Sequence, residues 1–76
     1  MKKPVIVIWH DSRAYGNEWY DEEDIAGFCC ATIKTRGYLV SQNEFKTVVA
    51  QSTDGEGRYL NIILIPQGCI KEIKTD

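Results

Sequence analysis

Histidine is nearly absent from this 76-residue chain, with His10 alone, and proline occurs only twice. The three cysteines are an odd number, Cys29 and Cys30 are adjacent, and no Cys-x-x-Cys pair exists. Neighbouring cysteines on a strand point to opposite faces, which disfavours a bridge between them. One histidine with three scattered cysteines lacks the spacing of a structural zinc site. No disulfide, metal or cofactor is therefore expected, and free thiols suit a reducing compartment. Long apolar runs are missing too. The start, MKKPVIVIWHD, has five apolar residues after its lysines, too few for a leader and right for a strand. No window approaches the length of a membrane span. The expectation is a soluble, cytoplasmic protein that engages no membrane.

An excess of positive charge is also lacking. Net charge is −2, the nine Lys and Arg are scattered, and Glu18, Asp21, Glu22, Glu23 and Asp24 cluster. A sequence-blind grip on long DNA or RNA needs a broad basic face, so that class is disfavoured. A compact anion held by two or three donors is still compatible with this charge.

Catalytic constellations are equally sparse. His10, Asp11 and Ser12 stand in direct succession, whereas triad members converge from separate elements. A polar residue at a strand end explains His10 more simply than a catalytic base. The acidic cluster reads as a solvated helix face rather than paired catalytic carboxylates. Asp54-Gly55-Glu56-Gly57-Arg58 has no Walker lysine and no following helix, so it reads as a hairpin turn rather than a phosphate loop. No enzyme is expected.

What is present is a small β protein. Residues 1–76 allow one domain, which buries only about 60–65% of the surface its unfolded chain exposes. With disulfides and metal disfavoured, self-association is the expected added stabiliser. Strands are predicted at 4–9 (PVIVIW), from 29 to 41, at 45–52 (FKTVVAQS), at 58–65 (RYLNIILI) and at 69–73 (CIKEI). Gly37 is expected to permit a bend or bulge. Residues 58–65 are apolar on both faces, which suits a central or interface strand. Asp21 with its following acids predicts a short helix over 21–28 that Gly27 ends. QNE (42–44), TDGEG (53–57) and PQG (66–68) are turns. Five short strands with one long first loop predict a mainly β fold: a small five-stranded antiparallel SH3-like barrel with one short helix.

That first loop holds the strongest functional signal. Trp9 to Tyr20 (WHDSRAYGNEWY) contains four of the chain's eight Trp, Tyr and Phe residues. Large aromatics mostly bury, so one reading is that the two tryptophans plug the core. Long ordered loops in compact domains are, however, usually functional. Rings interleaved with Arg13 suit planar anionic ligands: a base stacks on a ring and a guanidinium forks onto a phosphate. Ser12 and Asn17 are able to read base edges. An aromatic groove for a proline-rich peptide fits the same residues.

The order of motifs also carries a resemblance. A first strand ends in Trp9, followed by Asp11-Ser12, Gly16…Trp19 and an acidic helix. Thr35-x-Gly37-Tyr38-Leu39-Val40, Val48-Val49-Ala50-Gln51-Ser52 and Ile65-Pro66-x-Gly68-Cys69-Ile70-x-x-Ile73 follow. Over nearly the whole chain this resembles a family of very small phage and prophage proteins, of the anti-CBASS sponge type. Gln67 departs from that pattern, where Lys or Arg is usual. The resemblance implies a binder that sequesters a cyclic dinucleotide immune signal, such as 3′,3′-cyclic GMP-AMP, without cleaving it, in host cytoplasm. A ligand with approximate two-fold symmetry fits a homo-oligomer, dimer or higher. In that reading Trp9, Tyr15 and Trp19 stack on or wall the bases, Arg13 and Arg36 meet phosphates, and Ser12 and Asn17 read base edges. Three other readings stand beside it: a protein-interaction module, a single-strand binder of the Sm-like sort, and a structural part of a phage assembly.

Overall fold

The computed structural model describes residues 2–76. Five strands are joined in one antiparallel sheet: β1 (Pro4–Asp11), β2 (Ala31–Gln42), β3 (Lys46–Thr53), β4 (Tyr59–Pro66) and β5 (Ile70–Thr75). A five-residue helix, α1 (Glu22–Ala26), lies between β1 and β2, and a 3₁₀ turn, Gln67–Cys69, lies between β4 and β5. The sheet order is β4-β3-β2-β1-β5. The chain thus meanders from β1 to β4 and then returns to lay β5 on the free side of β1. β4 and β5 are the two edges of this open sheet. Among the described residues no helix is long and apolar enough to cross a membrane.

Alternation sets which face of each strand is covered. Along β1, Val5, Val7 and Trp9 are buried, whereas Ile6 and Ile8 on the other face are half-buried. Val5, Val7 and Trp9 join Val49 of β3 and Ile65 of β4 in one core. Ile33, Leu39, Ile63, Cys69, Ile70 and Ile73 pack around it. All five strands and the 3₁₀ turn contribute, so the sheet curls over its own inner face.

The curl is concentrated in β2. Its first part pairs with β1, from Asp11↔Ala31 to Pro4↔Tyr38, and its last part pairs with β3, from Tyr38↔Ala50 to Gln42↔Thr47. Only Tyr38 belongs to both ladders. Beside it, a Cβ on Gly37 would stand 2.5 Å from the Ala50 carbonyl oxygen and 2.6 Å from Val49 Cγ1. Gly37 therefore answers a close backbone approach, and the expected bulge lies elsewhere: the register shifts between Leu39 and Ser41. A second shift, between Ile8 and Trp9, lets β5 follow β1.

Turn chemistry matches the residues. The Asn43 side-chain oxygen accepts from the N–H groups of Phe45 (2.8 Å) and Lys46 (3.0 Å), closing the β2–β3 turn. At the β3–β4 tip, Asp54 accepts from the N–H groups of Glu56 (2.8 Å) and Arg58 (3.1 Å). The Arg58 side chain reaches back to the same carboxylate at 2.6 Å. Gly55 and Gly57 there adopt φ of +78° and +90°, as a tight turn needs. In the core, the Thr47 hydroxyl donates to Gln67 Oε1 at 2.8 Å and ties β3 to the 3₁₀ turn. Gln67 thus has a structural role, as the acceptor for a buried hydroxyl.

The molecule is long and thin, 53 × 22 × 21 Å, with a radius of gyration of 16.0 Å. A compact domain of this length has a radius near 11 Å.

Candidate recognition loop

The loop between β1 and β2 is built outward from the end of the β1–β2 ladder at Asp11↔Ala31. Asp11 turns the chain by accepting the Ser12 N–H at 2.8 Å. Asn17 then takes a left-handed conformation, φ 66°, which asparagine tolerates better than most residues. Asp21 opens α1 with a reciprocal cap. Its carboxylate accepts the Asp24 N–H at 2.8 Å, and the Asp24 carboxylate accepts the Asp21 N–H at 3.4 Å. Gly27 closes the helix, with its N–H on the Asp24 carbonyl at 3.1 Å. No residue of α1 is buried, so the helix gains its stability from caps and from neighbours in the loop.

Those neighbours are aromatic. Tyr15 stacks on Phe28 with ring centroids 3.9 Å apart and planes 6° off parallel. Tyr20 meets Phe28 edge-on at 5.0 Å and Tyr15 edge-on at 6.3 Å. Each such pair contributes about 0.5–1.5 kcal/mol beyond its buried area. The three rings form a satellite cluster that staples the two halves of the loop together, separate from the main core. Phe28 is the hub and carries no signal in the aromatic stretch itself. What marks it is its place directly after the helix-ending Gly27, where an apolar residue commonly folds back on the helix.

The proposed site residues divide. Trp9 is 9% exposed, belongs to the main core, and donates its indole N–H to the Thr35 hydroxyl at 2.9 Å. Its ring is thereby committed to packing rather than offered to a ligand. Trp19 is fully exposed. Tyr15 is partly spent on the satellite cluster, and its hydroxyl accepts from the Arg13 guanidinium at 3.3 Å. That hydrogen bond raises the Arg13 pKa further above the range in which a guanidinium, charged in any case, would lose its proton. Ser12 and Asn17 are exposed on the same loop. Arg36 is not with them. It lies five residues along β2 from Ala31, about 17 Å, paired across the ladder with Ile6 and on the same face of the sheet. There it pairs with Asp76 at 3.5 Å.

Chemically, the loop offers a bare indole, one positioned guanidinium and small polar groups, with exposed Glu18, Asp21, Glu22 and Glu23 close by in sequence. Cavities of about 310 to 390 Å³ lie away from it, at the β3–β4 tip and along β2 and β3. Cys29 and Cys30 are exposed and free, and Cys69 is a partly covered free thiol at the core. Among the described residues, no three His, Cys, Asp or Glu side chains gather as a metal set. No known protein family, no curated protein and no solved structure matches the chain.

Proposed function

We propose that the chain is a non-enzymatic binding protein whose 12–30 loop takes a cyclic dinucleotide and sequesters it intact. The observation that carries this reading is Trp19: a fully exposed indole on a loop whose other large rings are locked together. An exposed ring of this size adds nothing to stability and is suited to stacking on a planar base, worth about 1–3 kcal/mol. Arg13, held by Tyr15, supplies a permanent charge for a phosphate. The loop is an open platform, and a homo-oligomer would present one such platform per copy to a ligand that itself carries two bases and two phosphates. In this reading the open sheet has the strand order of an SH3-like barrel, with β1 between β2 and β5 and a 3₁₀ turn before the last strand, while β4 and β5 do not pair with each other. The setting is host cytoplasm, with no membrane and no long nucleic acid as partner.

A panel of cyclic dinucleotides, cyclic trinucleotides and linear nucleotides tests this by thermal unfolding. Native-state binding at a thousand-fold excess over Kd adds roughly 4 kcal/mol, a shift of many degrees in so small a domain. The expected result is a large shift with one cyclic dinucleotide, recovery of that nucleotide unchanged after heating, and loss of the shift in Trp19→Ala and Arg13→Ala. No shift anywhere in the panel overturns the nucleotide reading.

A second reading is favoured by the acidic side chains beside Trp19. Glu18 and Asp21 would repel an anion and steer a basic surface toward the indole. In that case the loop is a protein-interaction module and Trp19 its anchor, a residue type enriched at interface hot spots. This reading expects no small-molecule response.

A further inference from the structure

The two edges of the sheet are not equivalent. β5, Ile70–Thr75, carries Lys71, Glu72 and Lys74. Charges of this kind blunt an edge against pairing with another chain. β4, Tyr59–Pro66, reads YLNIILIP and has no charged residue at all. Its inner-face residue Ile65 is fully buried, as a core position should be. On the other face, Leu60, Ile62 and Leu64 are each more than half exposed. They follow one another at a spacing of two along β4, with Asn61, left-handed at φ 58°, between the first two. Their partners on β3, Ser52, Ala50 and Val48, are uncharged. A long, uncharged, apolar edge is the kind that natural proteins cover.

The surface area says how much cover is missing. A compact monomer of 8.7 kDa exposes about 4,700 Å². This chain exposes 5988 Å², roughly 1,300 Å² more than that scaling. A standard protein interface removes about 800 Å² from each partner. The recognition loop accounts for part of the surplus. Within the strands, the large apolar side chains that are exposed are Leu60, Ile62 and Leu64 of β4.

We infer that β4 is the interface of a homodimer, in which two copies lay their β4 edges side by side and antiparallel about a two-fold axis near Ile62. The strand is self-complementary in that arrangement. Ile62 lies at the axis, Leu60 of each copy meets Leu64 of the other, and no charge is buried. A two-fold pairing uses the same patch twice and closes the assembly at two copies. The charged β5 edge stays in water. This inference does not depend on the identity of any ligand, because the contact is made by strands outside the loop.

Sedimentation equilibrium of the full chain without nucleotide tests it, together with the variant Ile62→Lys. The wild type is expected at twice 8.7 kDa at tens of micromolar. Ile62→Lys would oppose two ammonium groups across the axis, and like charges so placed cost several kcal/mol, which raises the dimer dissociation constant by about two orders of magnitude or more. Its far-UV circular dichroism should be unchanged, since Ile62 is exposed in the single chain. Amide hydrogen exchange of the wild type gives a second readout that needs no variant: β4 amides should be protected in the dimer and lose protection on dilution, while β5 amides should not change. A wild type that remains a monomer overturns the inference. So does a ring of more than two copies, which would need a head-to-tail contact using β5, or a dimer whose β4 amides exchange at the same rate after dilution.

Discussion

Trp9 and Trp19 are the same residue ten positions apart, in opposite circumstances. Trp9 ends the alternating run of β1, where the pleat alone decides which way its ring faces. That direction is inward, and Thr35 across the ladder satisfies its N–H. Trp19 stands in a loop where no period operates, and the ring that could have filled a core is left in water. The side chains around it are organised all the same, by Tyr15, Tyr20 and Phe28 stacked among themselves. The contrast teaches that in a small domain an aromatic's role follows from what holds its backbone. Strand periodicity makes a ring structural; in a loop braced by other rings, one can be left in water.

The sharpest way to test that contrast is to remove each ring. Trp9→Ala leaves a large hole in the core and should cost about 3–5 kcal/mol. That is comparable with the whole stability of a domain of this size, roughly 4–11 kcal/mol, so urea titration should find the variant partly or wholly unfolded. A variant as stable as wild type would show that Trp9 is not a core residue. Next in size is Gly37→Ala, which drives a methyl group into the β3 backbone and should destabilise by about 1–3 kcal/mol. If the loss in the urea midpoint is negligible, the β2–β3 approach is looser than described. Trp19→Ala lies at the other end, with stability unchanged within about 0.5 kcal/mol. Its fluorescence signature should be distinct: the component accessible to iodide disappears with Trp19 and persists when Trp9 is replaced by Phe. Quenching of the Trp9 component instead would invert the comparison.

The smallest effect concerns the other exposed tip. Asp54 is held below its usual pKa range, first by the Glu56 N–H and then by the Arg58 side chain. A depressed carboxylate adds stability above its unfolded-state pKa and loses it as pH falls through the lower folded value. The β3–β4 tip should therefore keep its order down to about pH 4 and loosen on the acid side of that. The Asp54 carboxyl resonance and the Gly55 and Gly57 amides report it directly. A titration midpoint at or above the ordinary aspartate value would contradict the hydrogen bonding.

Much of the architecture follows from local chemistry. The β-branched runs specify the strands, Asp21 and its acids start the helix, and Asp-Gly-Glu-Gly makes the tip. Those features act over two to five residues, so the sequence carries them openly. Features that need two distant segments are hidden. Gly37 reads as a bulge signal, and only the close approach of Ala50 and Val49 on β3 reveals why no side chain fits there. Residues 58–65 are apolar on both faces and suit a central or interface strand, and only the sheet order shows that β4 is an edge. Phe28 joins Tyr15 and Tyr20 across thirteen residues of loop, a contact that no periodicity announces. For the same reason the chain shows a cluster of rings but not which of the two tryptophans is free. Arg36, grouped with the loop by its charge, belongs to another part of the sheet and to Asp76.

The position of β1 between β2 and β5 has a consequence for how the chain is made. Val5 pairs with Gly37 on one side and with Thr75 on the other. The first neighbour is available early, whereas the second is seventy residues away along the chain. At about 5–20 residues per second, the far side of β1 waits roughly 4–14 s during synthesis before its partner exists. Throughout that time Val5, Val7 and Trp9 lack the neighbouring strand β5. Closure of the sheet is thus a late, long-range event, and proteins dominated by such pairings fold slowly. A nascent chain of this kind is most exposed to aggregation just before its last strand emerges.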